Sequence, residues 1–500
     1  MPQLNKKHFV NRLPDKGKSK VDKRPYLELN PRAWIEIVVF LMSMAALGLE
    51  FYPAVLVVVM LMIKSFINNR HEFIVQLTLF TGAYGFYYCN PLIIRNDFLV
   101  FIIAIFLASI HRKPPIVKRT FLILGVFLLS IIILAGFSDV PMLAQISKMR
   151  HYLYFIYFYL PLIAFDGIEF NFNKFMTHVI GYTIVIGAFY IIDSCILCSH
   201  VMVPRVFDHN MTRSTWRNLH IHLLQHPFRR IYPPGMYLAA LSIYGIVRIY
   251  RLRTWHWFLL LSGLGLTKTI TFLTGLFITY CYVQGSIRLI LKYAFSAIIA
   301  VALLYSVDVW IENNTAFNSH DTESPLRIRS TFTQIADAAA AKTEKDLATF
   351  GSGRMAQVIP KFELMYKYGK EWTGLGFLDR KTTTDTRFFI DNDFYENPDA
   401  QSEVATGVEI AYAQTILNIG YIGLIVQLLV YFALAMTIRK LRYFNFFISV
   451  LVALLIFGIN GICSINIIDG LLLLGLAYAT VLLANRDVLP GFNTPWLSNT

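Results

Sequence analysis

Charge is what this sequence has little of. Of its 500 residues only 15% are Asp, Glu, Lys or Arg, and acids are the scarcer sign, 31 against 45. A soluble domain carries about 25% charged residues, so a water-facing surface for a chain of this size is missing. That excludes a soluble enzyme. It also excludes nucleic acid as the reason for the net charge of +14. Cysteine is rare as well. Cys89, Cys195, Cys198, Cys281 and Cys463 lie in or beside apolar runs, so no extracellular disulfide framework is written. The Cys195-x-x-Cys198 pair falls inside a helical stretch and reads as small buried hydrophobes rather than a metal or redox site. No internal repeat and no inverted pair of broken helices is visible, which argues against a secondary transporter. The N-terminus does not read as a signal peptide, because its first apolar run begins near Trp34, after a long basic tail.

Apolar sequence fills the gap: 56% of residues are hydrophobic, 15% are aromatic, and the mean hydropathy is +0.53. It is gathered in runs such as Phe98 to Ile110, Phe121 to Phe137 and Leu471 to Ala484. A spanning helix needs roughly 20 mostly apolar residues, with about 17 as a lower limit. Segments near 34–50, 53–67, 72–88, 97–110, 120–137, 152–165, 177–198, 234–250, 255–266, 269–284, 289–307, 413–436, 443–461 and 465–484 qualify or nearly so. The expectation is an all-α polytopic membrane protein with about 12–14 spans, the first pair forming a hairpin at Pro53.

Basic residues in short loops orient such a chain. Residues 1–33 form a basic tail and are placed in the cytoplasm, as are the loops at Arg112–Arg119, Arg248–Arg253 and Arg439–Arg442. Agreement among these anchors requires that residues 255–284 be two helices divided at Lys268. The bundle then covers 34–307 with a basic outer loop at 200–233, followed by a large outer loop at 308–409, C-terminal helices at 410–485 and a cytoplasmic tail at 486–500. The large loop carries 17 acidic and 11 basic residues. Long loops translocate largely regardless of charge. It is expected to form a small helical cap, with helices near Thr331–Leu347 and Ala356–Tyr368.

Outer-face arginines run against the positive-inside rule. Arg229 and Arg230 stand just before Tyr232-Pro233-Pro234-Gly235, where the next helix enters the membrane, with Arg205, Arg213 and Arg217 earlier in the same loop. A guanidinium fork suits phosphate oxygens; headgroup anchoring is the alternative. Lys268, within Gly265-Leu266-Thr267-Lys268-Thr269, is either a functional intramembrane charge or a snorkelling one. His220-x-His222-x3-His226 suits neither a zincin helix nor a zinc finger, so no metal and no cofactor is expected. Glu409 stands where the large loop re-enters the membrane. There it is either a general base for a sugar hydroxyl or a helix-start acid that complements the macrodipole.

Five stretches in this order resemble the O-antigen polymerase/ligase superfamily of bacterial envelope glycosyltransferases. They are Arg230-x-Tyr-Pro-Pro-Gly235, the polar break at Thr267-Lys268, Ser352-Gly353-Arg354, Gly374-Leu375-Gly376-Phe377, and the Gly420-x-x-Gly423 helix. The resemblance covers about Arg229 to Ile438, and the hydropathy profile extends it over the whole chain. It implies a metal-independent, C-type membrane glycosyltransferase of the bacterial inner membrane, working at the periplasmic face on an undecaprenyl-pyrophosphate-linked glycan. Arg229, Arg230, Lys268 and Arg354 would hold pyrophosphate or glycan, and Glu409 would activate the acceptor. Membrane lipid, a chain-length regulator and a flippase are the implied partners. Ligases of the superfamily carry a histidine eleven residues before the Gly-x-x-Gly start, where this chain has Glu409, and the usual Ser-Arg reads Thr267-Lys268. These differences favour a repeat-unit polymerase. An O-antigen ligase and a lipid-linked oligosaccharide flippase or transporter are the alternatives.

Overall fold

The computed structural model describes residues 23–48, 51–81, 114–192, 238–265, 270–285, 354–378, 385–391, 402–406, 410–458 and 463–489, with isolated positions between. The chain is mostly helical. α1 (Pro31–Gly48) starts as its sequence dictates: Asn30 caps it, the side-chain oxygen accepting from Arg32 N at 3.0 Å, and Pro31 takes the first helical position. It turns at Tyr52-Pro53 into α2 (Ala54–Asn68) and runs on through α3 (Arg70–Thr81). α4 (Pro115–Gly136) forms a hairpin with a second helical run. That run begins as α5 (Met142–Met149), tightens to a 3₁₀ segment at Arg150–Phe158 and ends as α6 (Tyr159–Ala164). Nine residues of 3₁₀ helix is long for a form usually confined to three or four.

α7 (Phe172–Ile191) is capped by Asn171, whose side chain accepts from Lys174 N. α8 (Leu238–Arg248), α9 (Thr254–Gly265) and α10 (Ile270–Gln284) follow. α9 packs on α7, whereas α10 packs on α8 and on α13 (Phe444–Phe457). Among the described residues the remaining α-helices are α11 (Arg354–Lys367), α12 (Ala411–Ile438) and α14 (Cys463–Leu483), with isolated helical positions elsewhere. Of the expected cap helices, α11 matches Ala356–Tyr368, while Thr331–Leu347 lies outside the described residues apart from Thr333. An antiparallel ladder of β1 (Phe389–Asp391) and β2 (Ser402–Val404) adds a feature that the all-helical expectation lacked.

α14 is the centre of the bundle. From Gly470 to Leu483 it is buried on all sides, and the Tyr478 hydroxyl meets Thr120 of α4 at 2.6 Å and Thr437 of α12 at 2.7 Å. At Gly475 it passes so close to the 3₁₀ segment that a Cβ would stand 2.6 Å from the Phe155 carbonyl oxygen.

The outer faces are as apolar as the core. Leu56, Met60, Ile63 and Ile67 on α2, and Leu122, Val126, Leu129 and Ile133 on α4, are each more than half exposed, at spacings of four, three and four. Ile425, Leu429 and Phe432 continue the pattern on α12. Stripes of this kind favour hydrocarbon over water. Among the described residues α4 and α12 are long and apolar enough to cross a membrane, and α2, α8, α13 and the buried part of α14 are shorter apolar helices.

Cations gather at one end of the bundle. Arg24 donates to the carbonyls of Ile246 and Val247, Arg70 to Ala164, and Arg486 to Phe165 and Ile168, while Arg251 pairs through its backbone with Pro25 and Leu27. Each guanidinium meets carbonyls at a helix C-terminus or its loop, where the dipole favours positive charge.

Two mid-helix glycines should respond oppositely to alanine. Gly475→Ala forces a methyl against backbone and should lower stability by about 1–3 kcal/mol. Gly125→Ala meets nothing within 4 Å and should be neutral or gain up to about 1 kcal/mol from helix propensity. Thermal unfolding in detergent measures both.

Candidate functional site

α12 is broken at Gly420, whose φ of 69° and ψ of −176° are not helical. An intact helix would bond Tyr421 N–H to Leu417 O and Ile422 N–H to Asn418 O. Here the loop after α11 is spliced into both bonds. Tyr421 N donates to Glu371 O at 3.0 Å and Ile422 N to Trp372 O at 3.3 Å. The released carbonyls of Leu417 and Asn418 accept from Leu375 N at 2.7 Å and Gly376 N at 3.1 Å. Two helix bonds are replaced by four to the loop, so each of the four groups those bonds would have joined has a partner.

Glycine is required on both sides. A Cβ at Gly420 would sit 2.1 Å from Trp372 O, and one at Gly374 (φ +79°) would sit 2.4 Å from the Asn418 carbonyl carbon. These glycines are the ones in the Gly374-x-Gly376-Phe377 and Gly420-x-x-Gly423 stretches singled out in the sequence. The structure interlocks the two stretches.

The tip of the α4–α5 hairpin clasps the same loop. Ser138 Oγ donates to Leu375 O at 2.7 Å. Buried Gln145 donates to the carbonyls of Ala135 (3.1 Å) and Val140 (2.8 Å) and accepts from Phe377 N at 2.9 Å. Lys370 Nζ reaches Phe137 O at 2.7 Å and Asp139 at 3.2 Å. Beyond the loop lies a small second core of Val140, Met365, Leu375, Phe388, Val408 and Leu417, separate from the main one. On its rim Arg387 forks onto Asp385, and that guanidinium holds the Asp385 carboxyl below the usual carboxylate range.

Polar atoms without partners surround the splice. Tyr152, 3% exposed, directs its hydroxyl toward Thr415 and Asn418 but forms no hydrogen bond with either, and its ring stands edge-on to Phe377. Arg150 Nε, Glu371 Oε2 and Gln414 Oε1 are likewise buried and unpartnered. Such atoms are rare in folded proteins and call for water, a ligand or a functional role. Outside, Trp372 and Tyr366 are exposed around Tyr421, the two tyrosine hydroxyls meeting at 2.8 Å.

The level of the site follows from helix length. The 18 residues from Tyr421 to Ile438 rise about 27 Å at ~1.5 Å each, close to a hydrocarbon core of about 30 Å. Arg439 and Lys440 follow at the cationic end, so Gly420 lies near the opposite boundary of an apolar layer. Ala411–Ile419 stands above it.

Of the residues expected to carry chemistry, Arg229, Arg230, Lys268 and Glu409 lie outside the described residues, and Arg354 is the first residue of α11. The sequence reading passed over Gln145, Arg150 and Tyr152. Arg150-His151, with Lys148, is a basic cluster just after the α4–α5 hairpin.

Fold and site define a mostly helical protein, two of whose described helices are long and apolar enough to cross a membrane, with a loop stitched into a broken helix. No protein-family model matches the chain, and no curated protein matches it in sequence.

Gln145→Leu would keep the volume but leave the Val140 carbonyl and the Phe377 N–H unpaired, and would take from the Ala135 carbonyl one of its donors while Ser138 N–H remains. The expected loss is about 2–4 kcal/mol, measured by thermal unfolding, with protease cleavage rising within 370–378 before the bundle melts.

Proposed function

We propose that this chain is a bacterial inner-membrane glycosyltransferase that polymerises undecaprenyl-pyrophosphate-linked repeat units of O-antigen, capsule or exopolysaccharide at the periplasmic face. One observation carries the reading: two of the five resembling stretches, 46 residues apart in sequence, interlock at one end of the apolar part of α12, beside the unpartnered Tyr152 phenol and two residues in sequence from the unpartnered Arg150 nitrogen. A polyprenyl pyrophosphate has its phosphates at that level. The cationic end of the bundle supports a cytoplasmic placement for both termini and the Arg248–Arg253 and Arg439–Arg442 loops. The 200–233 and 308–409 loops then face the periplasm, within a bundle of 12–14 spans.

In this reading the acceptor sugar hydroxyl gives its proton to Glu409 as its oxygen attacks the anomeric carbon of the donor. The bond from that carbon to the pyrophosphate oxygen breaks, and the electron pair leaves with undecaprenyl pyrophosphate. Arg229, Arg230 and Lys268, with Arg354 from the cap, neutralise the developing charge in the manner of an oxyanion hole. Arg150 joins them on the ground of its unpartnered nitrogen. Glu409 at the position of the ligase histidine supports polymerase over ligase. The folded cap around the second core supports an enzyme over a flippase, which has no need of one.

The deciding experiment is the polysaccharide ladder of a deletion strain. Single repeat units on lipid A are expected. Loss of all glycan from lipid A would indicate the ligase, and lipid-linked material trapped inside the cell the flippase. Among variants, Glu409→Gln should reduce chain growth by about 10²–10⁴-fold with donor binding retained, and normal chains would remove Glu409 as the base. Arg230→Lys should lose most extension while inserting normally, because a point charge does not replace a planar fork.

A further inference from the structure

At the cationic end of the bundle lies a second buried polar cluster, which the proposed function does not use. Asn69 begins α3 by accepting from the N–H groups of Glu72 and Phe73, and Asn69, Glu72 and Gln76 follow one another at spacings of three and four, one face of a helix. That face meets His178 and Tyr182 of α7. Gln76 and Tyr182 are fully buried, and Glu72 and His178 are 3% and 4% exposed. Tyr182 donates to Glu72 Oε1 at 3.3 Å, Gln76 Nε2 donates to the Tyr182 oxygen at 3.0 Å, and Asn69 Nδ2 lies 2.7 Å from His178 Nε2 and 3.4 Å from Glu72 Oε2.

The carboxylate has no cation of its own. None of the ion pairs among the described residues includes Glu72. The neighbouring positive groups are engaged elsewhere: Lys64 is bound to Glu36 at 2.6 Å, Arg70 lies over the Phe66 ring and donates to Ala164 O, and Lys174 is exposed. His71 Nε2 accepts from Asn171 N–H, and the like charge of Glu36 acts on Glu72 as well. Two amide oxygens in the cluster, Asn69 Oδ1 and Gln76 Oε1, are buried with no donor, as is His178 Nδ1.

A carboxylate removed from water without a counter-charge is costly and is relieved by a proton or by a cation. A proton would neutralise Glu72 and leave both amide oxygens unpaired. A cation engages carboxylate and amide oxygens together. The donors are oxygens, which suit a hard ion. There is one carboxylate, and among the described residues no group of three His, Cys, Asp or Glu could hold a metal ion, which limits the charge to one. We propose that this recess binds a small monovalent cation of the sodium class, with Glu72 balancing its charge and Asn69, Gln76 and Tyr182 supplying further oxygens. The ion fastens α3 to α7 and, through α3, the α1–α2 hairpin.

The test uses the whole protein, purified in detergent and freed of sodium. Thermal unfolding is followed in sodium chloride, potassium chloride and choline chloride at equal ionic strength. Sodium should raise the unfolding temperature saturably over choline, since a ligand bound only to the folded state stabilises by mass action. Glu72→Gln should abolish the difference, and Gln76→Leu should shift its midpoint to higher sodium. Identical curves for the wild type in sodium and choline would overturn the site without any variant. So would a sodium effect that survives in Glu72→Gln, or a stability that follows pH alone at every sodium concentration.

Discussion

Four backbone hydrogen bonds at Gly420 hold this architecture together. A membrane helix opened in its own path exposes two N–H groups and two carbonyls to surroundings with little water, and each must be repaired locally. The loop Glu371–Gly376 repairs all four at once, and it does so only because Gly374 and Gly420 let two backbones come closer than any Cβ allows. The consequence is mechanical. The loop after α11 is part of the hydrogen bonding of α12, and Gln145 and Ser138 tie that loop to the α4–α5 hairpin as well. Three elements distant in sequence share one rigid junction.

Among the described residues the two ends of the bundle carry different polar groups. Between them, α14 is buried all round and the outward stripes of α2, α4 and α12 are apolar. The capped end combines an unpartnered guanidinium nitrogen, phenol, carboxylate oxygen and amide oxygen around the splice. The cationic end spends its arginines on helix carbonyls, and Glu72 is hydrogen-bonded to a hydroxyl and an amide rather than to a cation. The splice at one end and the buried acid at the other are therefore different sites.

Much of the helical plan was legible. Long apolar runs forced helices where they occur, Pro53 marked the turn between α1 and α2, and Asn30-Pro31 wrote the start of α1. The two glycine stretches were legible as motifs, but their meeting was not, since nothing local says that Gly374 lies against Asn418. Gln145 and Tyr152 gave no signal, because a Gln in a short hairpin and a Tyr in an aromatic run look like surface and core. The ladder of β1 and β2 escaped because three-residue strands are too short to show alternation within an acidic loop.

Composition alone pointed to a mostly helical chain with helices apolar enough to cross a membrane, since burying or solvating that much apolar sequence leaves few other arrangements. The distribution of Lys and Arg set out which end is cationic, because that bias is a property of loops and not of packing. Only the tertiary structure decided that α12 breaks at Gly420, that the loop after α11 enters the break, and that Glu72 is left without a cation. Each of these depends on which backbones and side chains stand within hydrogen-bond reach of one another. Such distances are set by the packing of remote elements, and a hydropathy pattern with its period of a few residues does not carry them.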